Sequence, residues 1–392
     1  MVKKLFALFF KIIILIICWI KFLFRGKADR KLNNLGKFLI FQRAKLGDMV
    51  CTTPMFRAVK IKYPNSKLFV MGSKVNRELL AGNPDIDEYR VYKNNFFEII
   101  KNIKKEKIDF ACVASPNSVG LAMFYLAGIP LICAPVIKNG WSPYQTWTYK
   151  LLCKLVVTKS HYMGHYASRE YLKLLEPIGI FTEDTKKHLF LSEGAKNKIN
   201  KFFEENNINP DADFIIGISP SAGNKIKLWA GDKFAKLADY IYQKYKAKII
   251  ITAGSNEKRE TEEMLRFLDE NTKVINTTGL FNIDELKALI SKLSLFISVD
   301  TGPIYLAEAF AIPTIDIIGP MDEREQPPIG PLHRIIKVPD RIPALHIMNA
   351  RVYDEKEARR QIEEITVEMV IKEFNDLMDE LKKYAIKNDS FK

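Results

Sequence analysis

Paired cysteines are missing from this chain. Its five (Cys18, Cys51, Cys112, Cys133 and Cys153) are odd in number and form no CxxC. That argues against a disulfide framework or a zinc site and suits reduced core thiols. Histidine is equally scarce, at five residues. His161 and His165 stand four apart, yet no third ligand lies nearby, so no metal is expected. No RNA- or DNA-binding signature accompanies the cations, which speaks against a nucleic-acid partner. The N-terminal apolar run lacks a small-x-small site after it, which disfavours a cleaved signal peptide. Asp211-Ala212-Asp213 is formally a DxD, but it precedes a strand, at the wrong edge of a sheet, and reads as linker.

With 392 residues, 47% apolar and 27% charged, the chain has room for two globular domains. The net charge is +14, and its distribution is uneven. Residues 1–37 carry nine Lys and Arg against Asp29, a net +8, which leaves +6 for the other 355. A membrane or an acidic lipid is the economical partner. Within 5–24, mostly Leu, Ile and Phe, helical spacing gathers Lys3, Lys4, Lys11, Lys21 and Arg25 within one arc of about 100°. Residues 1–27 are therefore expected to form a membrane-anchor helix, lying in the interface or spanning as a signal anchor. A core helix of the globular body fits poorly with so many flanking cations. Both favoured readings leave the basic flank, Arg25 to Lys37, and the body behind it on the cytoplasmic side.

From Lys37 onward strands and helices alternate, the pattern of parallel sheets. Lys37 to Gln42 reads as a strand. Gly47 and Asp48 fall in the following loop, Thr53 caps, and Pro54 opens a helix. Asp48, near the strand's carboxyl end, is a candidate general base, although many such loops carry an Asp only to bond their own backbone. Trp141 to Tyr166 is rich in aromatics and cations and reads equally as acceptor loop, membrane contact or packing. Residues 192–212 resemble a connector. A second βα series follows, and Ser219-Pro220-Ser221, Gly254-Ser255, Thr278-Gly279 and Asp300-Thr301-Gly302 each follow a strand end. In a parallel sheet these ends share one edge, where ligands bind. Lys225 or Lys227 could neutralise a diphosphate there, and Thr301 and Pro303 suit the start of a helix whose N–H groups receive phosphate.

Together KLGDMVCTTPMFRAVKIKYP (45–64), HYASREYLKLLEPIGI (165–180), SPSAGNKIKLWAGDKFAKLAD (219–239), ITAGSNEKRE (251–260), NTTGLFNIDELKALI (276–290), SVDTGPIYLAEAFAIPTIDIIGP (298–320) and ITVEMVIKEF (365–374) resemble glycosyltransferase family 9, the ADP-heptose:lipopolysaccharide heptosyltransferase family. The resemblance implies an α/β GT-B fold: Rossmann-like domains at 37–195 (acceptor) and 212–392 (nucleotide sugar) facing across a cleft, with the last helix returning to the N-terminal domain. It also implies inverting transfer without an obligatory metal or cofactor, from a nucleotide sugar, ADP-heptose by family, to a lipopolysaccharide core or other lipid-linked acceptor at the cytoplasmic face of the inner membrane. By the same resemblance Asp48 is the base and Lys227, in K-x-W with Trp229, contacts phosphate. Glu257 holds the ribose, and Asp300, Thr301 and Gly302 receive the diphosphate and sugar, with Ser219, Gly254 and Gly279 around the donor. Tyr305 stands where many members have His, which opens the alternative of another nucleotide sugar for another envelope glycan. A catalytically silent sugar-nucleotide-binding scaffold is the alternative outside enzymes, and the joint presence of Asp48, Lys227, Glu257 and Asp300 argues against it.

Overall fold

Two six-stranded parallel sheets organise the chain, one in each of two units. The computed structural model describes residues 2–30, 34–93, 95–349 and 351–389, with side chains within 8–383. The first unit takes 1–77, 83–188 and 347–352, and the second takes 78–82, 189–346 and 353–392.

The first half runs α1 (Val2–Arg25), β1 (Lys37–Phe41), α2 (Leu46–Lys62), β2 (Lys67–Gly72), α3 (Lys74–Leu79), β3 (Glu88–Val91), α4 (Phe96–Glu106), β4 (Phe110–Val113), α5 (Ser118–Ala127), β5 (Leu131–Lys138), α6 (Trp147–Cys153), β6 (Val157–Tyr162) and α7 (Ala167–Leu172). Its strands stand in the order β3-β2-β1-β4-β5-β6, all parallel. Helices cover both faces, so the central strands are continuous apolar runs. In β1, Phe38 to Phe41 are all buried.

The second half runs α8 (Glu193–Glu205), β7 (Ile215–Ser219), α9 (Gly231–Tyr245), β8 (Lys248–Ile251), α10 (Lys258–Arg266), β9 (Val274–Asn276), α11 (Ile283–Ile290), β10 (Leu295–Val299), α12 (Gly302–Ala309), β11 (Thr314–Ile317), β12 (His333–Ile336), α13 (Glu355–Glu363) and α14 (Val367–Asp389). Its strand order, β12-β11-β10-β7-β8-β9, repeats the winding of the first sheet. In each sheet the order reverses beside the first strand, at β1/β4 and at β7/β10, which opens a crevice at the strands' carboxyl ends.

Two expectations are corrected here. The N-terminal helix is a built-in part of the first unit, not a separate anchor: Ile14, Leu15 and Cys18 are buried with α5 and α6 side chains, and Phe10 packs edge-on against Phe96 at 5.6 Å. Two of its cations, Lys21 and Arg25, turn toward protein. Lys21 donates to the Leu126 carbonyl at 2.8 Å, and Arg25 donates to the Tyr125 carbonyl at 2.6 Å and to that of Ile129. These carbonyls lie at or just beyond the last turn of α5, where a helix has unpaired acceptors and a negative dipole end. Part of the cationic stripe is thus a C-terminal cap for another helix. Burial, with Arg25 and Lys104 nearby, pushes the Lys21 ammonium below its usual value. Lys31 and the side chains of Lys3 and Lys4 lie outside the described residues. No helix among the described residues is long and apolar enough to cross a membrane, which sets aside the spanning alternative for them.

The last helix was expected on the N-terminal domain. Instead α14 packs on α9, β11 and β12 of the second unit, because Val370, Phe374, Leu377 and Met378 form one apolar face that is buried in that unit's core.

Candidate active site

In the first unit the segment after β1 is helical much earlier than Pro54 suggested. Helix α2 starts at Leu46, so Asp48 lies on its first turn and Pro54 lies inside it. An interior proline deprives the carbonyl four residues back of its N–H donor. That carbonyl belongs to Val50, and the Thr53 hydroxyl supplies the missing bond at 2.7 Å. Thr53 is therefore a repair within the helix rather than its cap. Asp48 is half-buried, and its Oδ1 accepts from the Tyr171 hydroxyl at 3.3 Å. Gln42, fully buried just past β1, accepts from Ser115 past β4 at 3.3 Å and donates to Thr52 at 3.3 Å. That bond crosses the reversal point of the first sheet. Tyr171 belongs to the quoted 165–180 stretch, but spacing alone attached no role to it.

His161 is nine-tenths buried or more, and burial drops its pKa to about 4. It is neutral at ordinary pH. The 161/165 spacing falls at the end of β6 and in a turn, not along one helix face.

In the second unit the segments singled out at the strand ends are joined pairwise by hydrogen bonds. Beyond β9, the Gly279 N–H donates to the Ala253 carbonyl beyond β8 at 2.9 Å. Gly279 has φ +73°, and a Cβ there would sit 3.1 Å from Ser255 Cα, so both the turn and the close approach require glycine. Beyond β8, Glu257 Oε2 accepts from the Gly254 N–H at 2.9 Å and from the Ser221 hydroxyl beyond β7 at 2.8 Å. Beyond β7, Lys227 Nζ forms an ion pair with Asp300 Oδ2 beyond β10 at 2.6 Å and donates to the Asp300 carbonyl at 3.0 Å. This last pair crosses the reversal crevice. Ser219, buried at the end of β7, accepts from Ser298 of β10 at 3.3 Å through its carbonyl.

Lys225 and Lys227 thus separate: Lys225 pairs with Glu260 of α10, and Lys227 reaches the crevice. Trp229 pins the turn between them and α9, its indole N–H donating to the Ile365 carbonyl at 2.8 Å. Asp300 is buried, and its other oxygen, Oδ1, accepts from the Tyr305 hydroxyl one turn into α12. Both oxygens of this buried carboxylate are thus held by side-chain donors, one from the loop after β7 and one from α12. Thr301 occupies the N-cap position of α12 by its extended backbone, but its side chain makes no capping bond. The helix N-terminus, opened by Gly302 and Pro303, is left to meet another acceptor. Ser221 stood in one of the marked strand ends and Tyr305 was marked for replacing the usual His, but sequence reasoning foresaw neither bond, to Glu257 or to Asp300.

A cavity of about 610 Å³ opens beside Pro220 and Lys225, among α9, α10 and α13, but Lys227, Glu257 and Asp300 are not in its lining. The side chains of Asp322, Glu325 and His346 come within 4.8 Å of one another, as metal ligands do. Protein cations already occupy that centre. Arg324 forks onto Asp322 at 2.8 and 2.6 Å, and His346 Nδ1 stands 3.3 Å from both Asp322 and Glu325. The bonds to Asp322 and Glu325 raise His346 to about 9, so its ring is protonated at neutral pH and donates rather than ligates. The Asp211/Asp213 pair closes a turn on Asn209, with Asp213 accepting its N–H at 2.8 Å.

Comparison with known proteins gives the same outline. Residues 97–350 match the family described as glycosyltransferase family 9 (heptosyltransferase). The lipooligosaccharide heptosyltransferase 2 of Haemophilus influenzae is 25% identical over 354 residues, covering 87% of this chain and 99% of that protein. The glycosyl transferase family 9 structure from Veillonella parvula superposes with a TM-score of 0.73 at 20% identity, over 90% of this chain and 100% of that one. That of the Escherichia coli ADP-heptose lipopolysaccharide heptosyltransferase II gives 0.71 at 18% identity, over 88% and 99%. The chain belongs to glycosyltransferase family 9 and is a glycosyltransferase.

Proposed function

We propose that this enzyme moves a heptose from ADP-heptose, with inversion and without a metal, onto a lipopolysaccharide core or another lipid-linked acceptor at the cytoplasmic face of the inner membrane. The observation that carries the donor half is the Lys227–Asp300 pair across the β7/β10 crevice, beside the uncapped start of α12. A fixed ammonium there supplies the positive charge that a leaving diphosphate needs, which elsewhere a divalent cation supplies. The names of relatives that use ADP-heptose or build lipopolysaccharide and lipooligosaccharide support the choice of substrates.

In this reading the Asp48 carboxylate takes the proton of an acceptor hydroxyl. The oxygen forms its bond to the anomeric carbon as the bond to the diphosphate breaks, and ADP departs with the negative charge. Lys227 and the N–H groups of α12 stabilise that charge. Glu257 receives the ribose, while Ser219, Gly254 and Gly279 leave room for the nucleotide. The Tyr171 hydroxyl orients Asp48. A second reading keeps this chemistry with another nucleotide sugar, and Tyr305 favours it, because its bond to Asp300 sets the residue at the donor crevice.

Asp48→Asn tests the assignment. It keeps size and most hydrogen bonding but loses the basic lone pair, so turnover should fall about 10²–10⁴-fold with donor affinity nearly unchanged. Asp300→Ala should damage both. Near-normal turnover of Asp48→Asn with chemistry rate-limiting would move the base elsewhere. The wild-type rate should persist in EDTA, and loss restored by magnesium would refute the metal-free step. Running the assay with ADP-, GDP- and UDP-sugars selects between the two donors.

A further inference from the structure

The outer side of α1 is apolar and uncovered. Phe9, Ile16, Ile20, Leu23 and Phe24 are 61, 52, 53, 77 and 88% exposed. With Leu8, Ile13 and Ile17, which are also exposed, they offer on the order of 800 Å² of apolar surface, more than the 300–600 Å² of the largest patch on an ordinary monomer. Leu151 of α6 closes a groove of about 410 Å³ with Leu15, Ile16, Trp19, Ile20 and Leu23. Of the helix's cations, Lys21 and Arg25 are turned inward and spent on the end of α5. Further cations that can attract acidic headgroups stand on both flanks. Phe97, Lys101 and Lys104 follow one helical stripe of α4, and Lys104 lies near enough to Lys21 to depress its pKa. On α6 and its C-cap, Trp147, Lys150 and Lys154 share a stripe with Leu151, which lines the groove. All six of these stripe residues are exposed.

We propose that α1, α4 and α6 form one composite docking face for an anionic bilayer leaflet, with α1 buried apolar side down and the two cationic stripes meeting lipid phosphates on either side. This deepens the membrane location in the functional reading above, and it moves the charge from α1 to its neighbours. Apolar surface and flanking cations are the two components of interfacial binding, and exposed tryptophan belongs at the same depth. A second copy of the chain fits less well, because pairing this face with itself would bring cationic stripes close to one another.

The test is flotation of the full chain with vesicles of phosphatidylcholine alone or with phosphatidylglycerol added. Wild type should bind the anionic vesicles at least tenfold better and keep part of that binding in high salt. Ile16→Glu/Ile20→Glu should lose binding to both vesicle types. Lys150→Glu/Lys154→Glu should lose the anionic preference, by about tenfold or more. Leu23→Glu serves if the double isoleucine variant fails to fold, as judged by circular dichroism. Equal flotation of wild type and all variants would overturn the proposal. So would a wild-type dimer that the glutamate variants convert to monomer with flotation unchanged, since the face would then join two copies. Transfer to a delipidated, soluble acceptor, assayed on the same variants, should stay at the wild-type rate. Absence of that transfer in wild type would count against the functional reading and leave the docking result standing.

Discussion

Tyr305→Phe is the sharpest probe of the donor crevice. The substitution removes one oxygen and leaves the ring, which is buried. What it takes away is the donor to Asp300 Oδ1, in a carboxylate whose other oxygen is held by Lys227 at 2.6 Å. A hydrogen bond to a charged, buried acceptor contributes about 1.5–3 kcal/mol, and the orphaned oxygen has little solvent to turn to. The second unit should therefore lose about 1.5–3 kcal/mol in urea unfolding. Trp229 is the one tryptophan of four in that unit, so a variant with the other three replaced by phenylalanine reports its unfolding alone. The same loss enters ADP binding if Asp300 sets the ammonium of Lys227. Calorimetry should then show ADP weakened by about 10- to 150-fold, with adenosine changed much less. Tyr305→His should recover part of both losses, because imidazole can also donate. A change within about 0.5 kcal/mol in unfolding, together with unaltered ADP affinity, would show that Tyr305 does not support the carboxylate.

Lys287, wholly buried on α11, donates to the carbonyls of Leu79 and Phe190 at 2.7 and 2.8 Å and pairs with Asp284 at 2.9 Å. Lys287→Met should cost about 3–5 kcal/mol in urea unfolding, with faster amide exchange at 78–82, and a cost under about 1 kcal/mol would show that these bonds do not hold the segment. His346 has a raised folded pKa, so its contribution is full below about 6.5 and is lost as pH climbs through about 9. Stability of the second unit should fall across that window by at most about 3 kcal/mol, and His346→Gln should flatten the slope in unfolding measured from pH 6 to 10.

The central strands were legible because burial on both faces makes them mostly apolar runs, unbroken in Phe38 to Phe41 and interrupted in Leu295 to Val299 only by Ser298. The outer strands were not. In β3 (EYRV) every residue is only partly buried, and β6 (VTKSHY) carries polar residues along an edge, so neither shows the apolar run that was sought. The start of α2 was misplaced because Pro54 normally marks a boundary, and the hydroxyl that compensates for it is invisible to spacing. At the site, the strand-end residues could be found from βα alternation, since a parallel sheet must gather them at one edge. The bonds that Tyr171, Ser221 and Tyr305 make to Asp48, Glu257 and Asp300 could not, because a single hydroxyl gives no periodic signal. Helical spacing could group the cations of α1, but it could not say that Lys21 and Arg25 would be covered by protein.

The buried thiols have a practical consequence. All five cysteines are buried, and all lie in the first unit: Cys18 on α1, Cys51 on α2, Cys112 and Cys133 on β4 and β5, and Cys153 on α6. Burial lifts Cys18, Cys133 and Cys153 to about 12, which leaves almost no thiolate in the folded state. Alkylation by an added reagent therefore counts opening events of that unit and is blind to the other. Cys18 reports the lifting of α1 from α5, while Cys112 and Cys133 report the breathing of the sheet beneath. The chain thus carries its own set of clocks, and comparing labelling rates site by site would time the departure of a single helix without any probe being introduced.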